Sequence, residues 1–379
     1  MRMRRGSLLA VAGITTSLAL TCCTPGPTAG QATSTAAMSD SVPASSPAQP
    51  VEAAPTTSMI TDGHDVVAEN LEAPWSVVFR EQTALISERD SGRILELEEN
   101  GGTREIGVVP GVVHGGEGGL LGLAMRGTEQ LYAYSTGADG NRIQRFELLG
   151  QPGSLALGGV TTLLDGIPAG TNHNGGRLGF GPDKMLYATT GDSGDRSLAQ
   201  DRESLGGKIL RMEPDGGIPA SNPFDDSYVY SYGHRNPQGL AWDAVGTLYA
   251  TEFGQSAWDE LNVITAGANY GWPAVEGIAD EEGFTDPVQE WEPAEASPSG
   301  MAITAGAIFI ANLRGAALRV VPVAEDGTSN EHYVGQFGRL RQAVVAPDGD
   351  LWFLTNNTDG RGSPGPEDDQ IISVGIRGS

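Results

Sequence analysis

Short apolar runs, each introduced by a turn, recur along the chain from residue 62 to its end. Six of these runs carry a leucine or isoleucine at the equivalent place, and those residues lie 43 to 62 positions apart: Leu85, Leu131, Leu186, Leu248, Ile308 and Leu351. Turn-plus-strand units repeated at this period are typical of β-propellers. No segment shows a helical period over three turns. The pattern therefore predicts an all-β, six-bladed β-propeller.

The ring of such a propeller must close, and the two ends of the repeat region supply the strands for it. We expect residues 65–68 to pair with residues 370–374, so that N- and C-terminal strands share one blade. Loops from several blades then meet at one mouth of the central channel, where propellers place their functional residues. Residues far apart in sequence are expected to meet there.

The first 58 residues have a different composition. Residues 1–22 combine arginines with an apolar run and predict a signal peptide of the lipoprotein type. Cys23 fits as the acylated residue and Cys22 fits nearly as well; the alternative is plain secretion with both cysteines unmodified. Residues 23–58 are rich in Ser, Thr, Ala and Pro and predict a disordered tether. The propeller would then occupy residues 59–379, outside the cytoplasm, either lipid-anchored or secreted.

Charge and cysteine content narrow the function classes. The chain has 48 acidic and 23 basic residues, for a formal net charge of −25, and removing the arginine-containing leader makes it more negative. Such a surface excludes nucleic acid and anionic lipid as partners, so membrane contact would be through the anchor alone. It is compatible with calcium and neutral substrates. With only two cysteines, both near the leader, the folded part has no disulfide or thiolate chemistry.

One histidine and one aspartate are predicted to face each other. Residues 177–180 and 185–189 form two strands around a turn at 181–184, and the midpoint between His173 and Asp192 falls inside that turn. A hairpin therefore places the two side chains opposite each other at its open end. A carboxylate there fixes the tautomer of an imidazole and makes it a general base. The alternative is a solvated or purely structural histidine.

Two further motifs can be interpreted from the chemistry of their residues. The segment Gly191–Gly194 resembles a serine-protease loop, but Asp195 follows it where that motif requires glycine, so Ser193 is interpreted as a turn residue. Arg339 and Arg341 alternate by two and point to one face of an extended segment. Arginines converging in so acidic a protein indicate a multiply anionic ligand, whereas pairing with surface carboxylates is the simpler alternative.

Several motifs in order resemble one family, the soluble quinoprotein glucose/sorbosone dehydrogenases, with the aldose sugar dehydrogenases as the most similar kind. The resemblance covers about residues 62–376 and is carried by segments 117–122, 173–178, 191–192, 232–239, 269–273 and 299–301. It implies a six-bladed propeller that uses pyrroloquinoline quinone (PQQ) and calcium. It also implies oxidation of aldose sugars to lactones, with electrons passed to an external quinone or small redox protein.

The same resemblance implies roles for individual residues. His173 would be the base that takes the proton of the anomeric hydroxyl as hydride passes to PQQ, with Asp192 orienting it. Arg235 and Asn236 would lie beside the quinone, and Arg339 and Arg341 would hold the cofactor's carboxylates.

Calcium roles are implied in the same way. The carbonyls of Gly254 and Gln255 would bind the calcium that polarises the quinone, although the family usually has proline at the second position. Glu260 and the Tyr270 carbonyl resemble a second, structural calcium site, with Asp259 as a possible extra ligand. The alternative for Glu260 is an ordinary solvated acid.

Two positions depart from the family pattern. Leu313 stands where a lysine commonly reaches the cofactor, and Arg314, one place later, is the candidate to compensate for it. Glu117 stands where some members have glutamine; an anion there is unfavourable unless it is protonated or turned away. Because of these departures, one alternative is that the protein is a non-catalytic lipoprotein propeller that binds a ligand or partner. A calcium-dependent lactonase is the other alternative, and the arginines argue against it.

Overall fold

The computed structural model describes residues 59–61, 63–323 and 327–377. The predicted signal peptide, the tether and both cysteines lie outside the described residues. In the described part the regular structure is 24 β-strands and one short 3₁₀ helix, Arg196–Ala199. No helix found there is long and apolar enough to cross a membrane.

The first twelve strands, in chain order, have the following bounds: β1 (Asp65–Ala68), β2 (Pro74–Arg80), β3 (Thr83–Glu88), β4 (Arg93–Leu97), β5 (Thr103–Val108), β6 (Leu120–Arg126), β7 (Gln130–Gly137), β8 (Gly140–Leu149), β9 (Ala156–Ile167), β10 (Leu178–Phe180), β11 (Leu186–Thr190) and β12 (Lys208–Met212). The remaining twelve are β13 (Val229–Tyr232), β14 (Pro237–Trp242), β15 (Leu248–Glu252), β16 (Asp259–Ile264), β17 (Gln289–Trp291), β18 (Pro298–Thr304), β19 (Ala307–Asn312), β20 (Ala317–Pro322), β21 (Asn330–His332), β22 (Leu340–Val345), β23 (Leu351–Thr355) and β24 (Ile371–Val374).

These strands form six four-stranded antiparallel sheets, which are the blades. Five blades are consecutive in sequence: β2–β5, β6–β9, β10–β13, β14–β17 and β18–β21. The sixth has the order β1-β24-β23-β22, and the first strands of neighbouring blades pack against one another around the whole ring. The six-bladed propeller predicted from the repeat is confirmed.

Ring closure follows the predicted pairing. Strand β1 pairs antiparallel with β24, with Asp65 opposite Ser373 and Val66 opposite Ile372. The last blade is thereby built from both ends of the repeat region, and the first and last strands of the described part are paired with each other. The prediction that residues 65–68 clasp the C-terminal strand is confirmed.

The recurring leucine and isoleucine positions form the core. Each of the six lies in the second strand of its blade, and all are buried, five of them at most 1% exposed. Burying one such side chain contributes roughly 1.5–3 kcal/mol. They pack with residues from neighbouring blades, as Leu351 and Phe353 pack with Phe309 and Leu318. The hydrophobic residues that recur along the sequence thus form the contacts between neighbouring blades, and these contacts stabilise the ring.

The ring axis is filled by polar side chains rather than apolar ones. The buried Arg177 donates to the Gln238 carbonyl and lies over the Trp75 ring, with its guanidinium carbon 4.1 Å from the ring centroid. Arg341 donates to the Gln238 side chain, which also accepts from Ser299. Two buried cations therefore occupy the centre of the ring.

The loops that carry most of the candidate site residues lie at one end of the ring. Because the strands are antiparallel, loops that enter a blade's first strand and loops that leave its second strand lie on the same side. His173, Arg235 and Arg339 come from loops of the first kind. Asp192 and Gly254 come from loops of the second kind. The topology therefore gathers them at one mouth.

Candidate active site

His173 and Asp192 are in direct contact at this mouth. The Nδ1 atom of His173 lies 2.7 Å from Oδ1 of Asp192, as the hairpin arithmetic predicted. In the flanking strands Leu178 lies opposite Ala188; continued outward, this register places Ser193 opposite His173, and Asp192 lies one place before Ser193. The His173 side chain remains partly accessible, while that of Asp192 is buried. With Nδ1 engaged by the carboxylate, Nε2 is the ring nitrogen left to face a ligand.

Asp192 is held as an anion by its surroundings. Burial alone would raise the pKa of this carboxyl, but the bonds from His173, the Gly194 amide and the Trp272 indole outweigh burial and lower the pKa below its usual range. The indole Nε1–H of Trp272 donates to Oδ2 at 2.9 Å. Each carboxylate oxygen therefore has a fixed partner, and only Oδ1 faces the imidazole.

The turn beside this pair depends on one glycine. A Cβ added to Gly191 would lie 2.0 Å from the His173 carbonyl oxygen, so no larger residue fits without moving the loop. Ser193 follows in a left-handed turn with φ of 56°, and its amide donates to the same carbonyl at 3.1 Å. Ser193 is thus a turn residue, as interpreted from the sequence.

Arg235 and Asn236 connect the pair to the next blade. The Asp192 amide donates to the Arg235 carbonyl at 2.8 Å, and Oδ1 of Asn236 accepts from the Gly175 amide at 3.0 Å. Burial lowers the pKa of Arg235, and nearby carboxylates, including Asp192, partly offset this. Within the described residues, Nε of Arg235 and Nδ2 of Asn236 are buried without a hydrogen-bond partner. Both are donors available to a ligand.

A narrow cavity of about 10 Å³ lies at this mouth, and we call it the arginine cavity. Its lining residues come from five of the six blades or from the loops that lead into them: Trp75, Arg89, Glu117, Gln238, Phe253, Leu313, Arg341, Asp359 and Arg361. Three guanidinium groups face two carboxylates here, in a protein of net charge −25. The cavity therefore concentrates the positive charge that the rest of the chain lacks.

Arg339 and Arg341 converge on one carboxylate, as their alternation predicted. Nη2 of Arg339 lies 3.0 Å and Nη2 of Arg341 lies 3.7 Å from Oδ2 of Asp359. The alternative of pairing with a carboxylate is thus realised, but Asp359 is itself buried in the cavity wall. Burial lowers the pKa of Arg341 to about 9, which leaves it charged at neutral pH. Nε of Arg339 is buried with no partner among the described residues.

Glu117 is neither protonated nor turned away. Burial raises its pKa, but the His173 amide and the Arg361 side chain outweigh burial, and the net pKa is lowered. Its Oε2 accepts from the His173 amide at 2.9 Å, and its Oε1 lies 2.8 Å from Nη1 of Arg361. The anion is therefore neutralised by a neighbouring arginine.

Leu313 and Arg314 occupy different places. Leu313 is buried in the wall of the arginine cavity. Arg314 is exposed and lines a separate surface depression with Gln255 and Trp258. The expectation that Arg314 replaces the missing cation is wrong, because the turn after β19 directs the adjacent residues to different sites.

Next to the cavity lies a group of four carboxylates, which we call the acidic cluster: Glu252, Asp259, Glu260 and Glu276. Oε1 of Glu276 accepts backbone N–H bonds from Gln255, Ser256, Ala257 and Trp258 at 2.6–3.2 Å. This carboxylate therefore fixes the loop that contains the predicted Gly254 and Gln255 carbonyls. In the described part of the chain neither of those carbonyls accepts a hydrogen bond.

Glu260 is buried and is not a solvated acid, so that alternative is wrong. Burial raises its pKa above the ordinary range, and Glu252, opposite it on β15, adds to the effect. The neighbouring Asn262 donates to Glu260 through Nδ2, and its buried Oδ1 has no partner within the described residues. Tyr270 lies nearby, with its ring stacked on His234, which in turn bonds to Glu252. Buried carboxyl and amide oxygen atoms suit a calcium ion, and a bound cation would favour the ionised form of Glu260.

Asp259 does not join Glu260. Its two carboxylate oxygens accept the amides of Gly254 at 2.8 Å and Ser297 at 2.6 Å. Adjacent strand residues point to opposite faces, so Glu260 bonds elsewhere, to the Gly277 amide. The prediction of Asp259 as an extra ligand is not supported by this geometry. Among the described residues no three His, Cys, Asp or Glu side chains converge on one metal position.

Three residues of the mouth were missed from the sequence: Arg361, Trp272 as a partner of Asp192, and Glu276. Trp272 lies in the motif at residues 269–273, two residues after Tyr270, but its position in the sequence gives no sign of a contact with Asp192. Arg361 lies two residues after Asp359, in the loop that follows β23, the second strand of its blade. Loops in that position lie at the mouth, and this was the signal that could have identified Arg361.

A six-bladed ring with a histidine–carboxylate pair beside a cationic cavity belongs to the class of propeller oxidoreductases. The family model "Glucose / Sorbosone dehydrogenase" matches residues 71–363. The chain belongs to the glucose/sorbosone dehydrogenase family, and the resemblance inferred from its motifs is confirmed.

Relatives and solved structures agree. The chain is 33% identical over 259 residues to quinoprotein glucose dehydrogenase B of Acinetobacter calcoaceticus, a match covering 58% of this chain and about half, 54%, of that protein. It is 28% identical to the aldose sugar dehydrogenase YliI of Escherichia coli K12, covering 78% of this chain and 90% of that protein. The PQQ-bound aldose sugar dehydrogenase of Streptomyces coelicolor superposes with a TM-score of 0.80 at 48% identity, over 82% of this chain and 96% of that one.

Proposed function

We propose that this protein oxidises aldose sugars to lactones with PQQ and calcium, and passes the electrons to an external acceptor. The observation that carries the proposal is the contact between His173 and Asp192 at the mouth that also holds the arginine cavity. This arrangement pairs a proton acceptor with a site for a multiply charged anion. The PQQ-bound Streptomyces relative supports the identity of that anion.

His173 would act as the general base through Nε2. Asp192 holds Nδ1, so the neutral imidazole carries its proton on Nδ1 and leaves Nε2 free to take the proton of the sugar hydroxyl. The bond from Trp272 keeps Asp192 in that orientation and favours its charged form. Asp192 also stabilises the imidazolium that results, since the carboxylate stays ionised.

The cationic and amide side chains at this mouth suit PQQ, which would supply the two-electron acceptor when bound. Arg339 and Arg341 would hold its carboxylates, and Arg235 with Asn236 would face the quinone. The fit rests on buried donors without partners in the described part of the chain: Nε of Arg235, Nε of Arg339 and Nδ2 of Asn236. Unpaired buried donors are costly, and an anionic ligand would satisfy them.

Calcium would be held beside the cavity. The free carbonyls of Gly254 and Gln255 would bind one ion, and that ion would supply a Lewis acid next to the ligand. Gln255 is acceptable in place of proline because the carbonyl, not the side chain, is the ligand. Glu260 with the Tyr270 carbonyl would hold a second, structural ion.

The electron acceptor would be a quinone or a small redox protein, and the enzyme would work outside the cytoplasm, anchored by lipid on Cys23 or Cys22 or secreted. These statements rest on the sequence of residues 1–58 and on the family. The membrane association is tested by labelling with a fatty-acid analogue and by Cys23→Ala and Cys22→Ala variants.

The test is reduction of an artificial dye by glucose, with PQQ and calcium added together and singly. We expect activity only with both, and a lactone as the product. A protein that binds PQQ without reducing dye would support the non-catalytic propeller. Hydrolysis of a lactone without PQQ would support the lactonase, which the arginine lining of the cavity disfavours.

A further inference from the structure

Arg361 occupies an unusual position at the mouth. It lies in the loop between β23 and β24, lines the arginine cavity, and contacts Glu117 across 244 residues of sequence. Its backbone is fixed because the Arg361 and Gly362 amides donate to Oδ1 of Asp359, whose Oδ2 binds Arg339. The loop is therefore tied to the wall of the cavity.

The guanidinium of Arg361 is only partly used. Its one hydrogen bond within the described residues is to Glu117, and its side chain is 54% exposed. Arg341, by contrast, engages every guanidinium nitrogen with Asn356 or Gln238. Arg361 thus retains solvent-exposed donors without a protein partner in the described residues, whereas each guanidinium nitrogen of Arg341 already has one.

Part of the cavity wall is apolar. Leu313 lines this part, whereas Arg314 lines a separate surface depression. An ionised Glu117 adds negative charge to the same cavity. Both features weaken binding of an anion unless a positive charge is supplied from elsewhere.

We propose that Arg361 donates to a carboxylate of the anionic cofactor while its other edge stays on Glu117. The Glu117–Arg361 pair would also link the ligand to the His173 amide, which Glu117 accepts. This inference rests on the proposed function, because PQQ is the ligand considered.

The experiment is an equilibrium titration with PQQ, followed by absorbance and tryptophan fluorescence, on the full chain with calcium present. Arg361→Ala is expected to raise the Kd about 10-fold or more, because a hydrogen bond between charged groups is lost. Arg361→Lys keeps the charge and should bind more tightly than Arg361→Ala. Arg314→Ala is the matched control, since that arginine lies outside the cavity, and it should bind like wild type.

Two double variants distinguish direct binding of PQQ by Arg361 from an indirect effect in which Arg361 only neutralises Glu117. In Arg361→Ala/Leu313→Lys a cation returns to the cavity, and tight binding should recover. In Arg361→Ala/Glu117→Gln the unpaired anion is removed; binding should remain weaker than in Glu117→Gln alone. Recovery to the level of Glu117→Gln would overturn the inference and leave Arg361 as a partner of Glu117 only.

Folding of each variant is checked by circular dichroism and thermal unfolding; Arg361 is half-exposed, so its removal should leave the fold intact. Equal Kd values for wild type and Arg361→Ala would overturn this inference alone. A wild-type protein that does not bind PQQ would overturn the proposed function and this inference together. The two failures are thereby distinguishable.

Discussion

The arginine cavity and the acidic cluster lie at the same mouth and carry opposite charge. The boundary between them is one peptide: Phe253 lines the cavity, and the amide of Gly254 donates to Asp259 of the cluster. Arg235 spans this boundary, since its side chain donates to the Phe253 carbonyl and its amide bonds to Glu252. A net charge of −25 therefore says little about which ligand either region selects.

In each region a charged group is hydrogen-bonded to neutral partners, although Asp359 also pairs with Arg339 and Arg341 in the cavity wall. Arg341 is held by the amide oxygens of Asn356 and Gln238, and the Glu276 carboxylate is held by backbone N–H groups. Dipoles of this kind fix a charged group without cancelling it, in a wall where water is scarce. One region is thus prepared for an anion and the other for a cation, and each can be disabled separately.

The largest expected effect concerns the residue that belongs to neither region. His173→Ala removes the proton acceptor, so turnover with saturating PQQ and calcium should fall about 100- to 10,000-fold. The Kd for PQQ should change little, because the charged walls remain. Steady-state dye reduction together with a PQQ titration measures both. A fully active variant would remove His173 from the mechanism.

The next effect separates the anion site from the cation site. Arg339→Gln removes one cation that contacts Asp359, and we expect PQQ to bind about 10-fold more weakly. The rise in unfolding temperature caused by calcium alone should stay as in wild type, because the acidic cluster is untouched. Thermal unfolding with calcium but without PQQ is the control, and a loss of the calcium effect would mean that the two regions are coupled.

Glu260→Gln is the reciprocal change. It keeps the size of the side chain and removes the buried charge that would bind calcium, so the stabilisation by calcium should be reduced or lost. Scanning calorimetry with calcium and with chelator gives the difference directly. Asp259→Asn serves for comparison, since Asp259 bonds to two loop amides rather than to the proposed ion. An unchanged calcium effect in Glu260→Gln would exclude Glu260 as a ligand.

The smallest effect concerns pH. The folded-state pKa of Glu117 is lowered, so its bonds to the His173 amide and to Arg361 stabilise the protein above the ordinary glutamate pKa of 4.5. That stabilisation is lost as the pH falls through the lowered value. Glu117→Gln should therefore cost about 1 kcal/mol or less at pH 7, and the difference from wild type should shrink at pH 3 to 4. Urea unfolding at the two pH values measures it; a difference that grows in acid would contradict the assignment.

What could be predicted from the sequence was local or periodic. The ring followed from the recurring strand, and the His173–Asp192 contact followed from the symmetry of one hairpin, 19 residues apart. Arg339 and Arg341 could be predicted to converge because both lie on one extended segment.

The contacts that were missed join different blades. Arg361 and Glu117 are 244 residues apart, and Trp272 is 80 residues from Asp192. Such contacts depend on the angle between neighbouring blades around the ring axis and on the path of each loop. A short sequence motif determines neither of these. The opposite directions of Leu313 and Arg314 likewise depend on the turn that follows β19, which adjacent sequence positions do not show.

The central claim is that the arginine cavity binds a multiply charged anion next to His173. Calorimetric titration of the purified protein with PQQ in the presence of calcium, at low and at high salt, tests it most directly. We predict one PQQ per chain and an affinity that falls as salt screens the guanidinium groups. No binding at either salt concentration, or binding that salt does not weaken, would contradict the account.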